Sequence, residues 1–228
     1  VMIIGAGPAG LEAAITARRR GHDVTIFEKS DRIGGNLHGY SANDLARPDD
    51  LISVIRYYQT MLDKLGIEVR FNTEANAKFM RSILHQFDVC IVAAGARTDL
   101  GYYRHLSGHE RLVDALDVAR GVAEPGQRVV VVGAGKIGLT LAEALAKKGH
   151  KVMIVEEFKN IASDVMPSFK WRHSAWVEEL DIRTLTSTTL VNVDEAGALV
   201  RNNKGEETRI PADTVIVSGP RKANHDLF

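Results

Sequence analysis

Short unbroken apolar runs, each followed by a stretch with helical spacing, recur along this chain. Val1–Ile4 and Val129–Val132 are such runs, and each reads as a strand buried on both faces. Behind each comes a glycine-rich turn, an amphipathic stretch, a second apolar run and an acidic residue. VMIIGAGPAGLEAAITARRRGHDVTIFE from Val1 and VVVVGAGKIGLTLAEALAKKGHKVMIVE from Val129 align without a gap. Gly5 falls on Gly133, Gly7 on Gly135, Gly10 on Gly138, Gly21-His22 on Gly149-His150, and Glu28 on Glu156. Each copy predicts strand, helix and parallel strand, which requires a crossover helix on one face of a sheet. Between the copies, Asp49–Gly66 carries apolar residues at helical spacing and stops on glycine, with Asp49 and Asp50 at its start and Lys64 near its end. Ile67–Phe71 alternates as a half-buried strand, Phe79–Phe87 predicts a short helix, Val89–Ala93 a buried strand and Leu112–Gly121 a further helix. After Glu124–Gln127, a turn, and the second copy, Phe169–Leu180 predicts a helix. From Thr188 short strands broken at Asp194–Gly197 and Asn202–Gly205 predict an antiparallel meander, and Thr214–Val217 returns as a buried strand.

The three glycines of each copy have separate physical tasks. The first permits a sharp turn out of the strand, the second lets main chain approach a diphosphate, and the third lets helix and strand pack closely. Main-chain N–H groups at the helix start then hold phosphate charge. Pro8 sits where its missing N–H costs little. Glu28 ends the second strand eighteen residues after Gly10, and Glu156 has the same offset from Gly138. A carboxylate there can accept from both hydroxyls of a ribose. One glycine pattern of this kind is weak evidence; the same strand, helix, strand and acid around it twice is much stronger. The expected fold class is therefore α/β, with two Rossmann-like domains.

Composition narrows the chemistry further. With 29 basic and 29 acidic residues among 228, the chain has no net charge, so neither nucleic acid nor an anionic membrane is an expected partner. No apolar run approaches the ~20 residues of a membrane span. Cys90 is the only cysteine. Redox pairs of cysteines, and cysteine-ligated zinc or iron–sulfur sites, are thus excluded within these residues. Cys90 itself, in an apolar run, reads as a small core residue. The eight histidines show no HxxxH or HExxH spacing, and no metal site is expected. Tyr57, Tyr58, Trp171 and Trp176 read as packing residues, and Arg18–Arg20 as a solvated helix end. The chain opens directly on a strand, without a visible signal peptide, which predicts a fragment of a longer, cytoplasmic protein.

Taken together, GAGPAG (Gly5–Gly10), EKSDRIGG (Glu28–Gly35), AAGA (Ala93–Ala96), GAGKIG (Gly133–Gly138) and ADTVIVSG (Ala212–Gly219) resemble the pyridine-nucleotide-disulfide oxidoreductase superfamily across essentially the whole chain. DRIGGNL and YYQTMLDKLGIEVRFNTEA are especially similar to the C-terminal region of the trimethylamine dehydrogenase and 2,4-dienoyl-CoA reductase group. The resemblance implies one nucleotide domain inserted in another, each with a small antiparallel meander. Residues 1–105 and 212–228 would bind FAD, or ADP alone, with the C-terminal part truncated; residues 106–211 would bind NAD(P)H.

The resemblance also implies site residues. Gly5, Gly7, Pro8, Ala9 and Gly10 would surround the FAD diphosphate, with Glu28 and Lys29 at the ribose. Arg32, Gly34, Gly35, Asn36 and Leu37 would line the path toward the flavin. Ala75 would lie near the adenine, and Ala94, Gly95 and Gly219 would add main-chain contacts. Gly133, Gly135, Lys136, Ile137, Gly138, Glu156 and Glu157 would form the NAD(P)H site. Glu156-Glu157 favours NADH, since a carboxylate repels a 2′-phosphate; Lys159 and Arg172 are the cations that could reverse that preference. Two departures stand out: Ala93-Ala94-Gly95 replaces the usual Ala-Thr-Gly, and His225–Phe228 ends before the family's last Gly-Asp segment, which predicts weak FAD retention.

Relatives of this group attach the unit to an N-terminal FMN-binding barrel with a four-iron (4Fe-4S) cluster, so a covalently attached module of that kind is the implied partner, and a homo-oligomer is compatible with the resemblance. The expected function is an FAD/NAD(P)H-binding portion of a flavin-dependent oxidoreductase, with no protein acid or base as a catalytic residue. Two alternatives stay open: a non-catalytic ADP- or NAD-binding module, and a flavoprotein like the small subunit of glutamate synthase.

Overall fold

The computed structural model describes residues 1–43 and 48–224. Contacts divide the chain into two compact units, one built mainly from Val1–Ser41 and Arg47–Arg97, the other from Thr98–Arg221, with the chain returning to the first at Lys222.

In the first unit the elements run β1 (Met2–Ile4), α1 (Pro8–Arg19), β2 (Thr25–Phe27), α2 (Leu37–Asn43), α3 (Pro48–Leu65), β3 (Glu68–Arg70), α4 (Ala77–Ile83), β4 (Cys90–Val92) and β5 (Ala96–Thr98). The sheet order is β3-β2-β1-β4, all parallel. Side chains of β1 alternate between two apolar layers, as the period of two requires. Ile3 joins Leu11, Ala14 and Ile15 of α1 and Leu62 of α3. Met2 and Ile4 face the other way, onto Phe27, Phe79 and Phe87. The helix α1 buries Leu11, Ala14 and Ile15, the i, i+3, i+4 stripe that sets it against the sheet. Arg18 is less solvated than its tripeptide suggested: its Nε donates to the Leu65 carbonyl at 3.1 Å and its Nη1 to Asp23 at 2.7 Å, which ties α1 to the end of α3. Tyr58 packs on the α1–α3 layer, as expected of a packing residue, while Tyr57 is exposed. Cys90 is half-buried rather than fully enclosed, and burial pushes its thiol pKa up, away from reactivity.

The second unit continues with β6 (Leu112–Asp114), α5 (Ala115–Ala119), β7 (Arg128–Val132), α6 (Lys136–Lys147), β8 (Lys151–Val155), α7 (Pro167–Glu179), β9 (Arg183–Leu185), β10 (Thr188–Asp194), β11 (Gly197–Asn202), β12 (Glu207–Pro211) and β13 (Thr214–Val217). The chain then returns to the first unit through β14 (Arg221–Ala223), which pairs with β5. The main sheet is parallel, in the order β6-β13-β7-β8-β9. Val129 and Val131 of β7 face the α6 layer, whereas Val130 faces Leu190, Val200 and Ile210 of the antiparallel meander β10-β11-β12. The meander thus closes one face of this sheet and the helices close the other.

Two expectations change. Leu112–Gly121 is not one helix: Leu112–Asp114 adds to the sheet edge beside β13, and Asp114 then caps α5, its carboxylate accepting from Leu116 N at 2.8 Å. Contacts pass from one unit to the other at Thr98 and after Arg221, and Thr214–Val217 inserts between β6 and β7 of the second sheet. An apolar four-residue run fits either parallel sheet equally well by pattern, and only pairing decides. Finally, the α/β class holds, but among the described residues the three-stranded meander belongs to the second unit alone. His225–Phe228, the residues at which the expected truncation falls, lies outside the described residues.

Candidate functional site: two glycine cradles

Both copies build the same main-chain cradle. Gly5 N donates to the Phe27 carbonyl and Gly133 N to the Val155 carbonyl, each at 2.8 Å. Leu11 N reaches Gly7 O at 3.0 Å, and Leu139 N reaches Gly135 O at 2.9 Å. The same register continues past the acid: Gly34 N donates to Ala6 O and Ala162 N to Ala134 O, again both at 2.8 Å. Gly5 and Gly133 share a φ of +99°, a left-handed turn that side chains resist. At Gly10 an added Cβ would stand 1.9 Å from Gly5 O, and at Gly138 2.0 Å from Gly133 O. The third glycine of each copy is therefore a packing requirement, as expected.

The middle glycine differs between the copies. A Cβ on Gly7 would meet nothing within 4 Å, so the space over the start of α1 is open to a ligand. Its backbone (φ −77°, ψ 177°) is ordinary extended chain at the helix N-cap. Pro8 then occupies the first helical turn, followed by Ala9, which is exposed. In the second copy a Cβ on Gly135 would lie 2.9–3.2 Å from the carboxylate atoms of Asp164, whose Oδ1 accepts from Lys136 N at 2.8 Å.

The acids are buried and already engaged. Glu28 is 7% exposed; its Oε2 accepts from Ala6 N at 2.6 Å, and its Oε1 from Ser30 N and Ser30 Oγ, both at 2.8 Å. Glu156 is 5% exposed and accepts from Ala134 N at 2.5 Å and Phe158 N at 2.9 Å. A carboxylate has about four lone-pair directions. Glu28 uses three and Glu156 two, because the second copy has phenylalanine where the first has a serine hydroxyl. Each acid therefore does two things at once: it locks its glycine loop and keeps acceptor capacity for a ribose hydroxyl.

Around the first cradle, Lys29 and Arg32 are exposed, and Arg32 lies 3.7 Å from Asp31. Gly34 is buried, Gly35 lies against the Gly7 backbone, and Asn36 and Leu37 are half-buried, with Leu37 N on Gly34 O. Ala75 follows the segment in which Thr73 N donates to the Glu28 main-chain carbonyl at 2.9 Å, and packs against the layer of Met2, Ile4 and Phe27. The Ala93 carbonyl closes on Gly5, while the Ala94 and Gly95 carbonyls accept from Asn224 Nδ2 and N, at 2.8 and 3.0 Å. At the second cradle, Ile137 is half-buried and Glu157 exposed. Gly219 lies beside this cradle: it follows Ser218, whose Oγ donates to Val132 O and Gly133 O, and its carbonyl accepts from Tyr103 Oη at 2.5 Å. Lys159 is exposed, and Arg172 is occupied over the rings of Trp171 and Trp176 at 5.4 and 5.8 Å.

Several residues of the second cradle carried no signal in the sequence. Asp164 is one. Tyr103 is another; burial, then Tyr102 and the charges of Glu157 and Glu156, push its phenol pKa up, so it stays a donor. Beneath Lys136, whose Nζ lies 3.4 Å from His173 Nε2, His173 Nδ1 meets Glu143 Oε1 at 2.7 Å, both groups buried. These contacts join residues between 28 and 116 positions apart and have no spacing to betray them. Among the described residues no cluster of histidine, cysteine or carboxylate could hold a metal, and no helix is long and apolar enough to cross a membrane.

A family model described as pyridine nucleotide-disulphide oxidoreductase matches residues 1–228. The chain belongs to that family. It is 28% identical to a metal reductase of Desulforamulus reducens, over all of this chain and 38% of the relative. It is 29% identical to an NADH oxidase of Thermoanaerobacter brockii, over 96% of this chain and 33% of the relative. Among solved structures it superposes on a 2-naphthoyl-CoA reductase complex with a TM-score of 0.87 at 31% identity, over 96% of this chain and 33% of that one. The chain thus spans about a third of the length of these relatives. As a family member it carries an FAD/NAD(P)-binding fold, and the cradles fit that assignment. The open space over Gly7 and the buried acid beside it are what a dinucleotide's diphosphate and ribose require.

Proposed function

We propose that the first cradle holds FAD, or ADP in its place, and the second NAD(P)H with NADH preferred. The chain would then pass reducing equivalents between nicotinamide, FAD and an FMN/iron–sulfur module elsewhere in a longer, cytoplasmic polypeptide. Hydride exchange between nicotinamide and flavin is the chemistry those cofactors supply when bound. The chain's residues bind and orient. N–H groups at the start of α1, reinforced by the helix dipole, would hold the FAD diphosphate over Gly7. Glu28 would hold the adenosine ribose, with Ala75 beside the adenine, and Arg32, Gly35, Asn36 and Leu37 would direct the remainder of FAD. Gly133, Gly135, Lys136, Ile137 and Gly138 would serve the nicotinamide nucleotide. Glu156 keeps two acceptor directions for the two hydroxyls of its ribose, which favours NADH over a 2′-phosphorylated cofactor.

One observation carries this reading: the same cradle is built twice, each with a buried acid locked to its loop. Names among the relatives, an NADH oxidase and reductases, accord with it. So does the share of those proteins that this chain leaves uncovered, which has room for an FMN barrel. The test is anaerobic absorbance of the full-length protein as purified. Flavin bands that bleach on NADH addition are the expected result. A colourless protein that releases ADP or NAD on denaturation would replace electron transfer with a non-catalytic nucleotide-binding module.

A further inference from the structure

We infer that Asp164 is a built-in competitor for the diphosphate of the second nucleotide and sets how tightly that cradle binds. The inference rests on the proposed occupant of the second cradle. Its basis is an asymmetry in an otherwise faithful duplication. The register that puts Gly5 on Gly133 also puts Gly34 on Ala162, and both of these donate to the matching loop carbonyl at 2.8 Å. Two positions on, the same register puts Asn36 opposite Asp164. The first copy thus carries a neutral amide where the second carries a carboxylate.

Location gives that charge its consequence. Asp164 Oδ1 accepts from Lys136 N, the first N–H of α6, at 2.8 Å. Its Oδ2 stands 2.9 Å from where a Cβ of Gly135 would be. That is the space left open above Gly7 in the first copy. An anion at a helix N-terminus is stabilised by the unpaired N–H groups and by the dipole, and here a side chain of the chain itself takes the position. The carboxylate is exposed, so it can swing out. While it stays, an incoming diphosphate meets negative charge instead of a donor. Lys136 does not relieve this: its ammonium is directed toward His173 Nε2, 3.4 Å away, and His173 is anchored on buried Glu143. Nucleotide binding at the second cradle therefore includes the cost of displacing Asp164, a cost absent from the first.

Asp164→Asn removes the charge and keeps the shape and an acceptor for Lys136 N. In FAD-saturated, full-length protein, calorimetric titration with ADP-ribose should show about tenfold tighter binding for D164N, the scale of a helix-terminus charge. Adenosine, which has no phosphate, should bind both proteins alike. Asp164→Ala, which also removes the acceptor, should tighten ADP-ribose similarly. Equal ADP-ribose affinity in wild type and both variants overturns the inference and leaves the proposed occupant in place. An equal gain for adenosine overturns it too, because the effect would not then be one of charge on phosphate. If no protein of the set binds ADP-ribose, the inference falls together with the reading of the second cradle.

Discussion

The tasks of the second and third glycines of the first cradle can be separated by two single-methyl substitutions, Gly7→Ala and Gly10→Ala. In Gly10→Ala the new Cβ would stand 1.9 Å from Gly5 O and 3.3 Å from Ile3 Cγ2. Ordinary van der Waals contact starts near 3.4 Å, so helix and loop must part by about 1.5 Å, and the obstacle is main chain that cannot rotate away. Overpacking of this kind costs about 1–3 kcal/mol, and a carbonyl obstacle belongs at the upper end. Alanine recovers up to about 1 kcal/mol in helix preference. The net loss is about 2 kcal/mol, or about 4–8 °C in Tm for a chain of this size. Gly7→Ala is the opposite case. Nothing lies within 4 Å, and φ is −77°. Its weaker N-cap, about 0.5–1 kcal/mol, is offset by a similar loss of unfolded-chain entropy. Tm should hardly change, but the methyl fills the space a diphosphate needs, and losing one charge-assisted hydrogen bond weakens nucleotide about ten- to a hundredfold. Thermal unfolding of the apo protein and calorimetry with ADP separate the two effects. If Gly7→Ala binds ADP as wild type does, no phosphate approaches that backbone and the cradle assignment is wrong. An unchanged Tm for Gly10→Ala refutes the packing half of the reasoning.

Two further outcomes follow from the acids. Glu28→Gln keeps one carbonyl oxygen but turns an NH2 toward either Ala6 N–H or the donors of Ser30; urea unfolding should show a loss of about 1–3 kcal/mol, and adenine nucleotide affinity should fall with it. An unaltered urea midpoint would mean that the acid does not lock the loop. Asp213 is held below the usual carboxylate range, first by the Arg128 guanidinium and then by the Arg128 N–H. Because its folded pKa is the lower one, its contribution is present above the unfolded aspartate value of about 3.9 and disappears as pH falls through the folded value. Acid unfolding of Asp213→Asn should therefore be less steep below about pH 4 than that of wild type, and identical profiles would count against the pair.

What the amino-acid order determined alone was everything local. The gap-free repeat from Val1 and Val129 specifies strand, turn, helix, strand and acid. Each step rests on chemistry within a few residues: glycine where φ is positive or a carbonyl stands close, proline at a helix start, alternating apolar side chains on a strand. Those same features made the cradles and their acids legible before any coordinates. Tertiary structure decided what depends on pairing between distant segments. Thr214–Val217 could have joined either parallel sheet by its pattern, and took its place between β6 and β7. Leu112–Asp114 became an edge strand because an open sheet edge offered partners to its main chain. Asp164 came to rest on Lys136 N through the path of an intervening loop. A side chain's charge is written in the sequence, but the donor it finds is chosen by the fold, since hydrogen bonds form across space and leave no periodicity along the chain.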